Sequence, residues 1–488
     1  MTHGALAHTR AVETDEYSVI PRLRRFPRGG RVVEFHLADA TTAAAAAQLA
    51  PGGVTFLQMD HLAAASAKRA AGGPHTGTAS AVARFDGTVD VEAMALALTG
   101  MARRHEEWRS IYSLTDSGPS RSIAPAELIE YRALDTGREL HDLDFLGYIV
   151  DRVQSEALFD TLPAMVFGVA QADDHFTFYV GADHGHTDGF SINAAIAEVA
   201  QRYRAALAGQ APATEPGPSF TEYVMAEKAA AAAVSPDDPR VGEWREILAG
   251  SGGRIPPSRL DLGLVGDEMP QAVRANRTVL DGAQLDAWDN AIADLDASFS
   301  GCVYAALAAA EFELFGSTEF FTATVLSTRT RENYLTQGWM CNFAPVAFPV
   351  APGVALLDLA GTATDAVRRA RRLNGLPVHP VLGLLAAEGA YLPEAGSPQM
   401  VSYIDYRRIP GSDDPVASTA ELFTGLGRTR NSNIWVNRFT DSLTIGTLIP
   451  DNDTARASSR RHLDAVARYL KAFADGTNPT IGAAETPA

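Results

Sequence analysis

Cysteine is scarce in this sequence: 488 residues contain two, Cys302 and Cys341. Two thiols cannot build a disulfide framework, and neither sits in a CxxC or other metal-ligand spacing, which points to a reducing compartment. Positive charge is short as well, with Lys+Arg 41 against Asp+Glu 59 and a net charge of −18. That balance excludes broad binding of nucleic acid or anionic membrane, because both need a positive field. No apolar run approaches bilayer-spanning length, and the alanine-rich stretches are short and flanked by polar residues. The segment Met1 to Arg31 mixes His, Asp, Glu and Arg and has no apolar core of a secretion signal. No repeat of solenoid period is present. These absences lead to the expectation of a cytoplasmic protein with no transmembrane segment and no nucleic-acid partner, for which −18 serves solubility. A monomer is expected.

What is present is the composition of a globular chain, 46% hydrophobic and 20% charged, at a length that exceeds one ordinary core and so predicts two lobes. Arg31–Leu37 and Ala79–Phe85 pattern as strands, the latter followed by the turn Asp86-Gly87. Residues 41–49 favour helix through alanine propensity, and Val91–Arg104 carries apolar residues at Met94, Leu96, Leu98 and Met101, as a buried helix does. Phe176–Gly181 is the clearest strand of the first half, and Phe190–Leu207 repeats Ile192, Ala195, Ile196, Val199 and Tyr203 as a helix does. Residues 209–218 hold three prolines and two glycines, which break helix and central strand alike. The division follows: an N-terminal extension at 1–50, an N-terminal lobe at 51–208, a linker at 209–218 and a C-terminal lobe at 219–488. Helices are expected over Phe220–Val234, Arg240–Leu248, Ala283–Ala293, Gly301–Leu314, Leu356–Leu373 and Ala455–Ala474, with a loop near 249–270 and a strand at Phe320–Val325. The fold class is α/β (α+β).

Between strand and helix lies Asp183-His184-Gly185-His186-Thr187-Asp188-Gly189, two histidines and two aspartates in six residues. Ends of strands and starts of helices are where mixed folds commonly place chemistry, since a helix start offers free N–H groups and a positive dipole end. Three readings are open. A neutral imidazole can take a proton from a hydroxyl or amine near neutrality and so assist acyl transfer. Alternatively, His184, His186 and Asp188 fit the first five positions of the HxHxDH motif of metallohydrolases. Gly189 stands where that motif has its next histidine, and only His379 and His462 follow downstream, so a metal site lacks ligands at close spacing. The third reading is a polar loop with hydrogen-bonded histidines.

The rest of the chain decides between them by resemblance. The loop resembles the HHxxxDG signature of condensation domains and polyketide-associated (Pap-type) acyltransferases of the chloramphenicol acetyltransferase-like superfamily. Asp183 replaces the first histidine, while His184, Asp188 and Gly189 match. Phe85–Asp90 followed by Met101–Arg109 is similar to the family's early strand-helix unit ending in an RHExLR-like sequence. Phe220–Tyr223 and Trp244–Gly250 match its inter-lobe helices, Ser327-Thr328-Arg329 with Gly338–Val346 its GxxxNxxPv block, and Val401–Tyr406 a later strand. These blocks span about residues 55–475; the plant branch's DFGWG motif is absent.

The resemblance implies two chloramphenicol acetyltransferase-like lobes with the active site in a tunnel between them, approached by a thioester donor and an acceptor from opposite faces. It implies an acyltransferase that moves an acyl group from acyl-CoA or an acyl carrier protein to a hydroxyl or amine, in lipid or natural-product biosynthesis. His184 is then the catalytic base, with no acyl-enzyme, no metal and no cofactor beyond the thioester. Asp188 pairs with an arginine, with Arg329 the candidate and Arg331 the fallback, and Gly189 belongs to the same structural set. His186 is a candidate for the acceptor channel or a loop contact, Asn342 for the oxyanion or loop order, and Asp183 for a substrate contact. The cluster Arg22–Arg31 suits a phosphopantetheine phosphate or an acidic carrier protein, or else a solvated arm. Arg368, Arg369, Arg371 and Arg372 form an exposed helical face. Two alternatives stay open: a catalytically inactive module that recruits a carrier protein, and a metallohydrolase using His184, His186 and Asp188.

Overall fold

The computed structural model describes residues 28–482 except 117, 211–214, 294–295 and 394–397. Arg22–Arg25 of the basic cluster and the middle of the 209–218 linker therefore lie outside the described residues. The fold is mixed α/β, built on two six-stranded sheets and a small three-stranded one.

The first sheet is antiparallel throughout, in the order Glu421–Thr424, Thr78–Asp86, His175–Asp183, Met165–Gln171, Gly30–Leu37, Tyr131–Leu140. Every residue of the strand His175–Asp183 is buried, which its nearly unbroken apolar run dictates: a strand covered on both faces has no polar side to show. Phe176, Phe178 and Val180 pack with Met94, Leu98 and Ile196 of the helices Val91–Arg104 and Gly189–Leu207. Tyr179 points the other way, onto Phe145, Ile149 and Val153 of the helix Asp142–Glu156.

The second sheet is mixed, in the order Cys341–Pro349, Glu319–Ser327, Met400–Asp405, Asn433–Arg438, Ser442–Pro450, Ala272–Asp281. Its core centres on the helix Phe299–Phe315, buried at every position from Ser300 to Phe312 and flanked by the helices Leu356–Leu373 and Asp453–Ala474. Small residues on that central helix, Ala305 to Ala310 among them, let its neighbours approach closely.

Two differences from the sequence expectations matter. The helix expected over 41–49 spans only Ala40–Ala45, and Gln48–Leu49 pairs instead with Ile123 and Ser122 of the strand Gly118–Ile123. Pairing across the small sheet overrides alanine's local preference. Second, the segment 219–488 contributes a strand to the first sheet: Glu421–Thr424 runs antiparallel to Thr78–Asp86. No helix among the described residues is long and apolar enough to cross a membrane.

Candidate active site

The strand His175–Asp183 delivers the motif loop, a short 3-10 turn at His184–His186 lifts it off the sheet, and Asp188 starts the helix Gly189–Leu207. Asp183 opens the turn by accepting the Gly185 N–H at 2.7 Å. A Cβ at Gly185 would lie 2.7 Å from that same oxygen, so the turn needs glycine there. At the far end Asp188 caps the helix, accepting the Ser191 N–H at 2.7 Å.

Asp188 and Arg329 form a two-pronged pair, with the guanidinium donating at 2.8 and 3.1 Å. Both side chains are almost wholly buried. Met340 N–H adds a third donor to the carboxylate at 3.0 Å, and Arg329 also donates to Ser191 Oγ at 2.7 Å and to the Gly338 carbonyl at 3.2 Å. Burial works to raise the Asp188 pKa, but Arg329 and the N–H donors more than cancel it and hold the carboxyl below its ordinary range. Arg331, the fallback partner, is exposed. Gly338 sits in the left-handed region at φ +145°, and a Cβ there would meet the Phe220 ring at 2.4 Å. Glycine is therefore required where this clamp meets the inter-lobe helix Phe220–Ala232.

Asp183 has different partners. His61 Nε2, from the helix Phe56–Ala70, lies 2.9 Å from both carboxylate oxygens, and His75 Nε2 lies 3.1 Å from one. Against a burial that pushes up, His61, His75 and His186 hold Asp183 well below the usual carboxylate range. Asp183 does not line the cavity, so its expected place as a substrate contact is corrected to a loop anchor. The residue that departs from the motif is buried in a polar nest of its own.

His184 lines a cavity of about 840 Å³ at the junction of the two sheets. Its ring packs on Trp339, centroids 4.3 Å apart, and Trp339 in turn meets His61 edge-on at 5.7 Å. Nδ1 is buried with no hydrogen-bond partner. Burial, and then the nearby His61, push the His184 pKa below its ordinary value, so the imidazole is neutral near pH 7. Gly189 lines the same cavity, where a Cβ would come within 3.1 Å of Ile404. Cys341 lines it too, but burial and the Asp188 carboxylate raise its thiol well above the ordinary value, so it stays protonated and is a poor nucleophile.

For two further residues the substrate-side role gives way to the loop role that the sequence also left open. His186 turns away from the cavity and is fully buried, with its ring 4.7 Å from Tyr112 and Nδ1 3.7 Å from Glu107. Two residues along a tight turn reverse the side-chain direction. Asn342 is also spent elsewhere: its amide donates to the Leu376 carbonyl at 2.7 Å and accepts the Val378 N–H at 3.0 Å, fixing the loop after the helix Leu356–Leu373. Its second amide hydrogen goes to the Asn374 carbonyl at 3.2 Å, so no donor is left for an oxyanion. The metallohydrolase triad fails on the same geometry. His184 lines the cavity and His186 does not, Asp188 is saturated by Arg329 and backbone donors, and among the described residues no group of three or more His, Cys, Asp or Glu is placed to hold a metal ion.

Several residues escaped the sequence reading. Beneath the loop, Gln58 donates to the Gly185 carbonyl at 2.8 Å and to the Tyr112 hydroxyl, Tyr112 donates to Glu107, and Arg121 pairs with Glu107. Glu106, next in chain, accepts from Ser219 and Thr221 at 2.8 to 2.9 Å and so ties the inter-lobe helix to the same floor. Glu107 and Trp339 stood inside the blocks that carried the resemblance, so a signal existed for them. His61 and His75 had none, being far from the loop in sequence.

A condensation-domain family profile matches residues 69–390, a span that includes the motif loop, Arg329 and the 338–346 block. The chain is 28% identical over 474 residues to the 2'-acyl-2-O-sulfo-trehalose (hydroxy)phthioceranyltransferase PapA1 of Mycobacterium tuberculosis (strain CDC 1551 / Oshkosh), covering 92% of this chain and 87% of that one. The trehalose-2-sulfate acyltransferase PapA2 of Mycobacterium tuberculosis (strain ATCC 25618 / H37Rv) is 27% identical over 403 residues, with 81% and 84% covered. Among solved structures, a PapA2 acyl transferase superposes with a TM-score of 0.82 at 24% identity, covering 92% of this chain and 98% of that one. The first condensation domain of the calcium-dependent antibiotic synthetase gives 0.68 at 17% identity, covering 88% and 98%. The chain therefore belongs to the condensation-domain family and is an acyltransferase of its Pap type.

Proposed function

We propose that this acyltransferase moves an acyl group from a thioester, of coenzyme A or of a carrier protein's phosphopantetheine, to a hydroxyl, with His184 as general base. The observation that carries the reading is a neutral imidazole lining a large cavity at the junction of the lobes, on a loop whose two aspartates are already paired. Nδ1 is buried without a hydrogen-bond partner, so the base role falls to Nε2. It takes the proton of the acceptor hydroxyl as the oxygen attacks the thioester carbonyl; a C–O bond forms, the C–S bond breaks, and the proton passes to the departing thiolate. The products are an ester and a free thiol. A protonated Cys341 fits direct attack better than an acyl-enzyme.

An ester rather than an amide is supported by the names of PapA1 and PapA2, which place acyl groups on trehalose-based acceptors. That likeness also supports a role in lipid biosynthesis. The test is thiol release together with intact mass of the products, for wild type and His184→Ala, with acyl-CoA and acyl-carrier donors and a panel of alcohols and amines. His184→Ala is expected to lose roughly 10²–10⁴-fold in kcat with its thermal melting unchanged. Full transfer by a folded His184→Ala protein would end the general-base reading.

A further inference from the structure

The chain carries a net charge of −18, yet the cavity that holds His184 is lined by six arginines and three aspartates. Pairing accounts for four of those arginines. Arg329 sits on Asp188, Arg407 on Asp405 and Asp289, Arg438 on Asp289, and Arg408 lies 3.4 Å from Asp405. Among the described residues Arg371 donates to Ser300 Oγ at 3.3 Å, and it is exposed to solvent.

Arg274 is the exception in kind. It lies on the strand Ala272–Asp281 of the second sheet, is 5% exposed, and meets no carboxylate among the described residues. Its guanidinium donates to Thr424 Oγ1 on the crossing strand Glu421–Thr424 and packs over the Trp435 ring at 5.2 Å. Its Nε is buried with no partner. Burial pushes its pKa down to about 10, so the charge persists at neutral pH. A nearly buried guanidinium without a carboxylate is costly, and a hydroxyl and an indole face offset that only in part.

We propose that Arg274 is the anion-binding subsite of the acceptor pocket, and that the substrate brings a fixed negative group, a sulfate, phosphate or carboxylate, into the cavity to pair with it. The planar fork of arginine suits two oxygens of such a group at once. Thr424 and Trp435 hold that fork in place, so little side-chain freedom is lost on binding. The assignment of an acceptor rests on the acyl-transfer reading above; the anion site itself does not.

The test is direct binding at constant ionic strength, without donor, of octyl sulfate, octyl phosphate, octanoate and octanol to wild type and Arg274→Gln. The neutral alcohol controls for apolar contact. The anionic probe that matches the site is expected to bind roughly 10- to 100-fold more weakly to Arg274→Gln than to wild type, while octanol binds both alike. The three anions report which group the site prefers. Equal affinity of wild type and variant for all three anions overturns the proposal. Should Arg274→Gln fail to fold, Thr424→Val, which removes only the hydroxyl that orients the guanidinium, is read in the same way: a smaller but selective loss for the anions supports the subsite, and no loss overturns it. Because no acyl transfer is measured, this binding stands or falls separately from the transfer reading, which the thiol-release assay decides.

Discussion

The two aspartates that bracket His184 are both buried and both held below the carboxylate range, but by different chemistry. Asp188 is clamped by one arginine in two-pronged contact, by Ser191 N–H and by Met340 N–H, which ties the motif helix to the loop between the strands of the second lobe. Asp183 is held within the first lobe, by His61, His75 and the Gly185 N–H. One end of the loop is therefore an inter-lobe clamp with a permanently charged partner, and the other a local anchor with imidazole partners. His184, between them, is held on a loop fixed from both sides and makes no hydrogen bond to either carboxylate, which leaves it free to act on substrate.

Breaking the clamp should have the larger effect. Asp188→Asn or Arg329→Ala leaves a buried charge without its partner, and each is expected to lower unfolding stability by about 3–5 kcal/mol, measured by denaturant titration. A loss below 1 kcal/mol would show that the pair does not hold the lobes. Asp183→Asn keeps an acceptor for Gly185 N–H and loses only the charge shared with the histidines, so about 1–3 kcal/mol is expected; a loss equal to that of Asp188→Asn would erase the distinction.

The pH profile sharpens the same contrast. Burial and His61 depress the His184 pKa, so the neutral base persists as pH falls through its ordinary ~6.5. The acid limb of kcat/KM is expected below 6.5, and a limb above it contradicts the buried neutral imidazole. For Asp188 the sign is that of any depressed carboxyl: its contribution is complete above ~4 and is lost as pH falls through its lower folded value. The smallest change is Tyr112→Phe, which removes one hydroxyl from the floor under Gly185. It should cost about 1 kcal/mol and lower kcat by only a few-fold; an effect as large as that of His184→Ala would move Tyr112 into the machinery.

The sequence made parts of this legible for physical reasons. Helical periodicity located Val91–Arg104 and Gly189–Leu207 nearly to the residue, because each buries one broad apolar face against the first sheet. The strand into the motif was readable from its unbroken apolar run. The Asp188–Arg329 pair came from the order of conserved-looking blocks shared with a family, not from spacing along the chain. His61 was invisible: nothing in a helix segment reading Asp60-His61-Leu62 tells that a side chain 122 positions away will meet it. His186 and Asn342 stayed open between substrate and loop roles, because sequence proximity to a motif says nothing about which way a tight turn or an edge strand aims a side chain. The alanine run at 41–49 misled for the opposite reason, since a local preference of a few tenths of a kcal/mol per residue yields to two backbone pairings across a sheet.

The strand Glu421–Thr424 does more than finish a sheet. A polypeptide cut after residue 208 would present Thr78–Asp86 as an open edge, a row of unpaired amides and carbonyls ready to recruit another chain. The partner fragment would carry the missing strand as a tether with nowhere to dock. Split at the linker, the first fragment would lack the strand that closes this edge, and co-expression with the second is the way to recover the fold from pieces.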